Sequence, residues 1–316
     1  HAPSRYGRPM SAGPRSTTSR WYRSATAPDL PAAQGTALVP AYHRGVILAV
    51  DIGNSAAKAA IVEGDTVHES RRLDTSAASA DDLLDGLRVL VGSLEEPPSA
   101  IITVSVVDRW TQRLEVAADA LGLPLTVEAA SHIPVSTALA RPDRTGADRL
   151  LAGWAASQIY GTPVIVIDLG TATTVDAIDA DGFFLGGAIA PGLELAADAL
   201  ADHTARLPRI EVALPDEAIG TDTAEAIASG VVIGHIGTVR ELAQRMHARI
   251  ASPSARTKVI ITGGHSSAPW AEAAWRRPAG DDLPAIADAL DPDLVLKGLG
   301  LLAEHMGARP SAGASR

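Results

Sequence analysis

The run Asp51-Ile52-Gly53-Asn54-Ser55, with Ala56, Ala57 and then Lys58 behind it, gathers a carboxylate, a bending glycine, a hydroxyl and an ammonium in a short stretch. Glycine lets the backbone turn sharply and approach an anion, so that amide hydrogens and the Ser55 hydroxyl can point at phosphate oxygens. Asp51 would repel phosphate directly and suits magnesium instead, a hard cation that takes carboxylate, water and phosphate oxygens. A single Asp-x-Gly also occurs in ordinary hairpin turns, so one copy leaves both readings open. A second copy, Asp168-Leu169-Gly170-Thr171-Ala172-Thr173-Thr174, crowds three hydroxyls around a glycine at the end of an apolar run. Two opposed turns of this kind would grip one triphosphate and, on closing, keep water from the transfer step. The Walker A pattern of Gly, four residues, then Gly-Lys-Ser/Thr is absent from the sequence, which disfavours a P-loop kinase.

A third constellation, Gly146-Ala147-Asp148-Arg149, opens an Ala- and Leu-rich helix through Leu150, Leu151 and Trp154. Asp148 either caps that helix or serves as a general base, with Arg149 beside it for a ligand carboxylate or phosphate. Three further segments read as glycine turns beside apolar stretches: Gly186 to Gly192, Ile219 to Thr223 ahead of a helix, and Ile260 to Gly264. Gly263 and Gly264 would let the backbone pass close to a flat base such as adenine.

Positioning these groups requires strands that end at the turns. Val46–Val50, Ala57–Val62 and Thr66–Arg72 read as three strands of a meander. Ala80–Ser93 puts Leu83, Leu84, Leu87, Leu90 and Val91 on one helical face; Ala100–Ser105 returns as a buried strand, and Trp110–Leu121 follows as a helix. Val46–Asp65 can be laid on Pro163–Gly182 at a constant offset of 117 residues, placing Asp51 on Asp168, Gly53 on Gly170, Ala60 on Ala177 and Ile61 on Ile178. The expectation is a duplicated α/β unit with a boundary near residue 160.

The 316 residues, 46 % hydrophobic, are enough for two cores. Without cysteine, disulfides, thiolate ligands and cysteine nucleophiles are excluded, and a net charge of -10 disfavours nucleic acid and anionic membrane surfaces as partners. No apolar run reaches the roughly 18 residues that span a bilayer. Residues 1 to about 44 are rich in Ser, Pro, Gly, Ala and Arg and lack periodicity; they are expected to form a disordered tail, one that lies upstream of the natural start or belongs to it.

In order and spacing from Val46 to Leu302, these motifs, with Asp176 and the terminal Asp291-Pro292-Asp293-Leu294-Val295-Leu296-Lys297-Gly298-Leu299, resemble the type III pantothenate kinases of the acetate kinase, sugar kinase, Hsp70 and actin superfamily. The resemblance implies an α/β protein of two duplicated ribonuclease-H-like, actin-like ATPase domains (46–160 and 161–305) with the active site in the cleft between them, flanked by disordered segments 1–45 and 306–316. It implies ATP-dependent phosphorylation of pantothenate to 4'-phosphopantothenate, the first step of coenzyme A synthesis, by a cytoplasmic homodimer. By that analogy Asp148 is the catalytic base; Asp51, Ile52, Gly53, Asn54, Ser55, Ala56, Ala57, Lys58 and Thr171 hold ATP, with Asp51 meeting its magnesium. Asp168 takes a monovalent cation, potassium or ammonium, and Gly146, Ala147, Asp148, Arg149 and Thr223 contact the acceptor. The family usually has Tyr nine residues and Asn seven residues before the catalytic Asp, where this chain has Leu139 and Arg141. A related kinase of another small hydroxylated acid, and a noncatalytic nucleotide-binding homologue, are the alternatives.

Overall fold

The structure, a computed structural model, describes residues 45–75, 78–276 and 286–307. Of the tails expected at 1–45 and 306–316, residues 1–44 and 308–316 lie outside the described residues, while Met306 and Gly307, expected in the disordered segment, instead complete the last helix, Leu294–Gly307. Strand β1 (Ile47–Ile52) is an apolar run buried on both faces, as a central strand must be. It pairs antiparallel with β2 (Ala56–Glu63), which pairs antiparallel with β3 (Thr66–Asp74), an edge strand whose exposed positions include His68, Arg71 and Arg72. Helix α1 (Ala80–Gly92) begins at a capping box in which Ser79 and Asp82 satisfy each other's backbone amides, and it buries Leu83, Leu87 and Leu90. Strand β4 (Ile101–Ser105) then joins β1 in parallel, helix α2 (Asp108–Leu121) follows, and β5 (Leu125–Val127) closes the sheet beside β4.

The second sheet repeats the plan. Strands β6 (Val164–Leu169), β7 (Ala172–Ile178) and β8 (Phe184–Pro191) form the meander, and β9 (Lys258–Thr262) and β10 (Ala289–Leu290) add the parallel side. The orders β3-β2-β1-β4-β5 and β8-β7-β6-β9-β10 are the same, so the expected duplication of a ribonuclease-H-like α/β unit is present.

The repeat is not at constant offset throughout. Asp51 pairs with Lys58 on β2, but Asp168 pairs with Thr174 on β7, so the second turn is one residue shorter. Ala49 pairs with Ala60, and its counterpart Val166 with Asp176; Ala60 therefore matches Asp176 rather than Ala177, and Ile61 matches Ala177 rather than Ile178. Because side chains alternate along a strand, this slip puts a carboxylate where the first sheet has a core alanine. The segment Gly186 to Gly192 is also not a turn: it is most of β8, and its glycines let the strand lie tight on β7. A Cβ on Gly187 would fall 1.9 Å from the Val175 carbonyl oxygen.

Helices α3 (Ala147–Tyr160) and α7 (Leu294–Gly307) lie between the sheets and are apolar nearly all round, as helices buried on every side are. α7 covers β1 to β4, whereas α3 packs mainly on β6 and β7, and the two meet where Gly298 leaves room for Leu151 and Ala155. Three more helices, α4 (Leu193–Asp202), α5 (Thr223–Ala228) and α6 (Gly234–Ile250), follow β8, with α6 packed on the other face of the second sheet. Among the described residues no helix is long and apolar enough to cross a membrane.

Candidate active site

The two glycine turns meet. Ser55 Oγ lies 2.6 Å from Thr171 Oγ1, each hydroxyl at the tip of its own sheet's turn. The first turn is closed by Gly53 N–H donating to the Ala56 carbonyl at 2.9 Å. It is braced by Thr75, just past β3, whose hydroxyl donates to the Asn54 carbonyl and whose N–H donates to the Ser55 carbonyl. The second turn is braced at the matching place: Gly192, just past β8, donates its N–H to the Thr171 carbonyl, and a Cβ there would fall 2.2 Å from the Gly170 oxygen. Sequence reading missed Thr75, although its place just past the third strand mirrors that of Gly192 in the repeat. Ile52 and Ala57 are packed into the core and contribute backbone alone, while Asn54 and Ser55 are exposed. Thr171 is exposed too, but Thr173 is buried on the opposite face, 3.0 Å from His235 Nε2, and takes no part in the cleft.

Asp51 and Asp168 extend the rows of β1 and β6 that face α3, since Ala49 and Val166, two residues earlier, are in the core around that helix. They stand near the carboxyl ends of parallel strands, the place where α/β sheets bind ligands. Burial, followed by the neighbouring Asp148 and Asp168, pushes the Asp51 carboxyl up to about 7, with Lys58 opposing. Burial, followed by Asp148 and Asp176, likewise pushes Asp168 up to about 7. Gly263 backs this carboxylate: its φ is +87°, and a Cβ would fall 2.2 Å from Asp168 Oδ1.

Asp148 sits in the first turn of α3, after the N-cap Gly146, so it is not the capping residue. Its Oδ1 accepts the Arg149 N–H at 2.9 Å, and the carboxylate folds back so far that a Cβ on Gly146 would lie 2.2 Å from it. Ala147 supplies the first helical residue between them. Arg149 grips Asp176 through both Nε (3.0 Å) and Nη2. Asp176 is the carboxylate that the register slip turned toward α3; burial raises its pKa and Arg149 works against that rise. Sequence reading noted Asp176 within the second motif and gave it no role.

Lys58, opposite Asp51 on the paired strand, turns its ammonium to the start of α7: 2.7 Å from Asp293 Oδ1 and 2.8 Å from the Pro292 carbonyl. Arg72 of β3 reaches across to Gly264 in the second half of the chain, 3.6 Å from where a Cβ would stand, and its charge helps lower the pKa of Glu194 at the start of α4, mainly held down by a hydrogen bond from His265. Neither Arg72 nor Glu194 carries a local sequence signal.

Thr223 is the first residue of α5 and lines a cavity of about 660 Å³ with Pro191, Leu200, Ile227 and His235; Gly146 to Arg149 are not part of its lining. Leu139 packs on Gly186 of β8, whose φ is +101°. Magnesium commonly uses one or two carboxylates with phosphate and water, and the Asp51 oxygens beside two hydroxyl-bearing turns fit that chemistry, leaving the neighbouring Asp168 carboxylate for a second cation.

A duplicated sheet whose paired turns meet beside such carboxylates defines an α/β protein of the actin-like ATPase architecture. The sequence profile "Type III pantothenate kinase" matches residues 47–245. The type III pantothenate kinase of Dehalococcoides mccartyi is 35 % identical over 262 residues, 81 % of this chain and 96 % of that one. That of Rubrobacter xylanophilus is 36 % identical over 268 residues, covering 81 % and 97 %. Among solved structures, the ethanolamine utilization protein EutJ from Carboxydothermus hydrogenoformans aligns at TM-score 0.47 and 15 % identity over 81 % of this chain and 89 % of its own, a likeness from which nothing about activity follows. The chain belongs to the type III pantothenate kinase family.

Proposed function

We propose that the protein transfers the γ-phosphoryl group of ATP to the primary hydroxyl of pantothenate, giving 4'-phosphopantothenate, the first step of coenzyme A synthesis. Family membership names the acceptor; the observation that carries the chemistry is the meeting of the Ser55 and Thr171 turns beside Asp51, Asp148 and Asp168. Residues Asp51 to Ala57 and Thr171 hold the phosphates, and Asp51 stands ready for magnesium, which neutralises phosphate charge when bound. Asp168 is the position for potassium or ammonium.

Asp148 takes the hydroxyl proton as that oxygen attacks the γ-phosphorus, and the bond to the bridging oxygen breaks to release ADP. Arg149, locked to Asp176 through Nε and Nη2, keeps Nη1 for the acceptor's carboxylate beside Gly146 and Ala147 at the helix start, and Thr223, on the α5 cavity, is the further acceptor contact in this reading. Much of the rate enhancement is positioning and charge neutralisation. The proposed cytoplasmic homodimer would use the exposed apolar Ile189 and Leu195 on β8 and α4, two elements that also line the Thr223 cavity, as contact surface between the two copies.

A coupled ADP-release assay with magnesium, ATP and pantothenate, run in potassium and in sodium, tests this. Potassium-stimulated release that requires pantothenate is expected. Silence with pantothenate but turnover of another hydroxy acid would replace the acceptor and point to Leu139 and Arg141, at the sequence positions where the family usually has Tyr and Asn.

A further inference from the structure

Lys58 lies on β2 directly opposite Asp51, on the same face of the first sheet. A lysine there invites assignment as a phosphate ligand. Its ammonium is already engaged, at 2.7 Å with the Asp293 carboxylate and at 2.8 Å with the Pro292 carbonyl, and its side chain is only 26 % exposed.

The segment it grips joins the two sheets. Upstream, β10 pairs with β9, and Asp291 N–H donates to the Ile261 carbonyl, so this stretch belongs to the second sheet. Downstream, α7 runs over the first sheet. Asp291 is buried and fully engaged: its carboxylate accepts from Tyr160 Oη at the end of α3 (2.8 Å), from Lys297 Nζ at both oxygens (2.9 and 2.8 Å) and from the Asp293 N–H (3.2 Å). Helices α3 and α7 are thereby tied to one carboxylate at the end of the second sheet, and Lys58 adds the tie from β2. Since β2 starts just after Ser55, whatever fixes β2 against this junction also fixes where the Ser55 turn stands relative to Thr171.

We propose that Lys58 is a positioning residue, whose ammonium clasps β2 to the Pro292-Asp293 lead-in of α7 and so sets the separation of the two phosphate-gripping turns, rather than a ligand of the phosphates. This rests on the kinase reading of the cleft.

The test is a double-mutant cycle on the full chain with Lys58→Met, Asp293→Asn and the pair, read as the KM for ATP in the ADP-release assay and as the affinity for magnesium-ATP in a binding titration. Each single variant is expected to weaken ATP by about tenfold, the size of one partly buried ion pair, with turnover at saturation nearly kept. The pair is expected to be no worse than either single variant within about twofold, because both break one clasp. Effects that multiply in the pair, or a large loss in Lys58→Met beside a parent-like Asp293→Asn, would overturn the clasp and return Lys58 to the phosphates. If Lys58→Met does not fold, Asp293→Asn alone decides: parent-like ATP affinity sinks the proposal. A parent protein that binds ATP yet releases no ADP with any hydroxy acid removes the kinase reading, and the binding titration still reads the clasp.

Discussion

Ser55 and Thr171 lie hydroxyl to hydroxyl at 2.6 Å although 116 residues separate them. Each turn is braced from its own sheet, through Thr75 on one side and Gly192 on the other, so the pair is the point where two separately held frames touch. A phosphate arriving there exchanges one hydroxyl–hydroxyl contact for two hydroxyl–phosphate bonds without moving either frame far.

Thr171→Ala is therefore expected to raise the KM for ATP by about tenfold while turnover at saturation stays within a few fold, since one phosphate donor is lost. Ser55→Ala should do the same. Initial-rate kinetics with both substrates varied check this; an effect confined to the KM for pantothenate would move the nucleotide elsewhere.

Asp148→Asn should leave ATP binding near normal and lower turnover by about 100-fold or more, the usual size for a lost general base. The carboxamide oxygen can still accept the Arg149 N–H, so the helix start is preserved. Equal turnover in variant and parent would remove the base from Asp148.

The pH dependence has a definite sign. Asp51 and Asp168 titrate near 7 in the fold, above the ordinary 3.8, so the stability linked to their protonated forms is complete below about pH 4 and is lost as the pH rises through 7. The free protein should melt lower at pH 8 than at pH 6, with Asp51→Asn narrowing the gap. Magnesium-ATP must displace those protons, so its affinity should rise from pH 6 to pH 8, by up to about tenfold per unit for each proton released. Calorimetric melting and titration at the two pH values read both; a variant with the parent's gap would contradict the assignment.

Arg149→Met leaves the buried Asp176 carboxylate without its partner and should cost about 3 kcal/mol of stability. Adding Asp176→Leu should restore much of that stability but not the activity. Denaturant unfolding beside the kinase assay separates the two; recovery of both would make the ion pair purely structural.

Much of this was legible in the chain. The buried runs of β1 and β6, each ending at Asp-x-Gly, showed both the strands and the duplication, because an apolar stretch stopped by glycine has few other meanings. The one-residue slip was not legible: it shows only in which residues pair, and it decides that Asp176 rather than Ala177 faces α3. Gly186 to Gly192 read as a turn because glycine marks both turns and strands pressed close to a neighbour, and only the Val175 carbonyl beside Gly187 tells them apart. The Thr173 hydroxyl looked equal to that of Thr171 until the strand's alternation sent it to His235. The Lys58 to Asp293 contact joins residues too far apart for any local pattern to show.

The placement of α3 and α7 has one more consequence. The helix that precedes the second sheet lies mainly on that sheet, and the helix that ends the chain returns to cover the first. A polypeptide cut after α3 would give a leading piece whose sheet has lost the cover of α7 and a trailing piece whose own sheet has lost α3, while α3 and α7 would each be stranded on the wrong fragment. Such pieces would complement one another like interlocked fingers, so neither half of the repeat carries a complete core of its own.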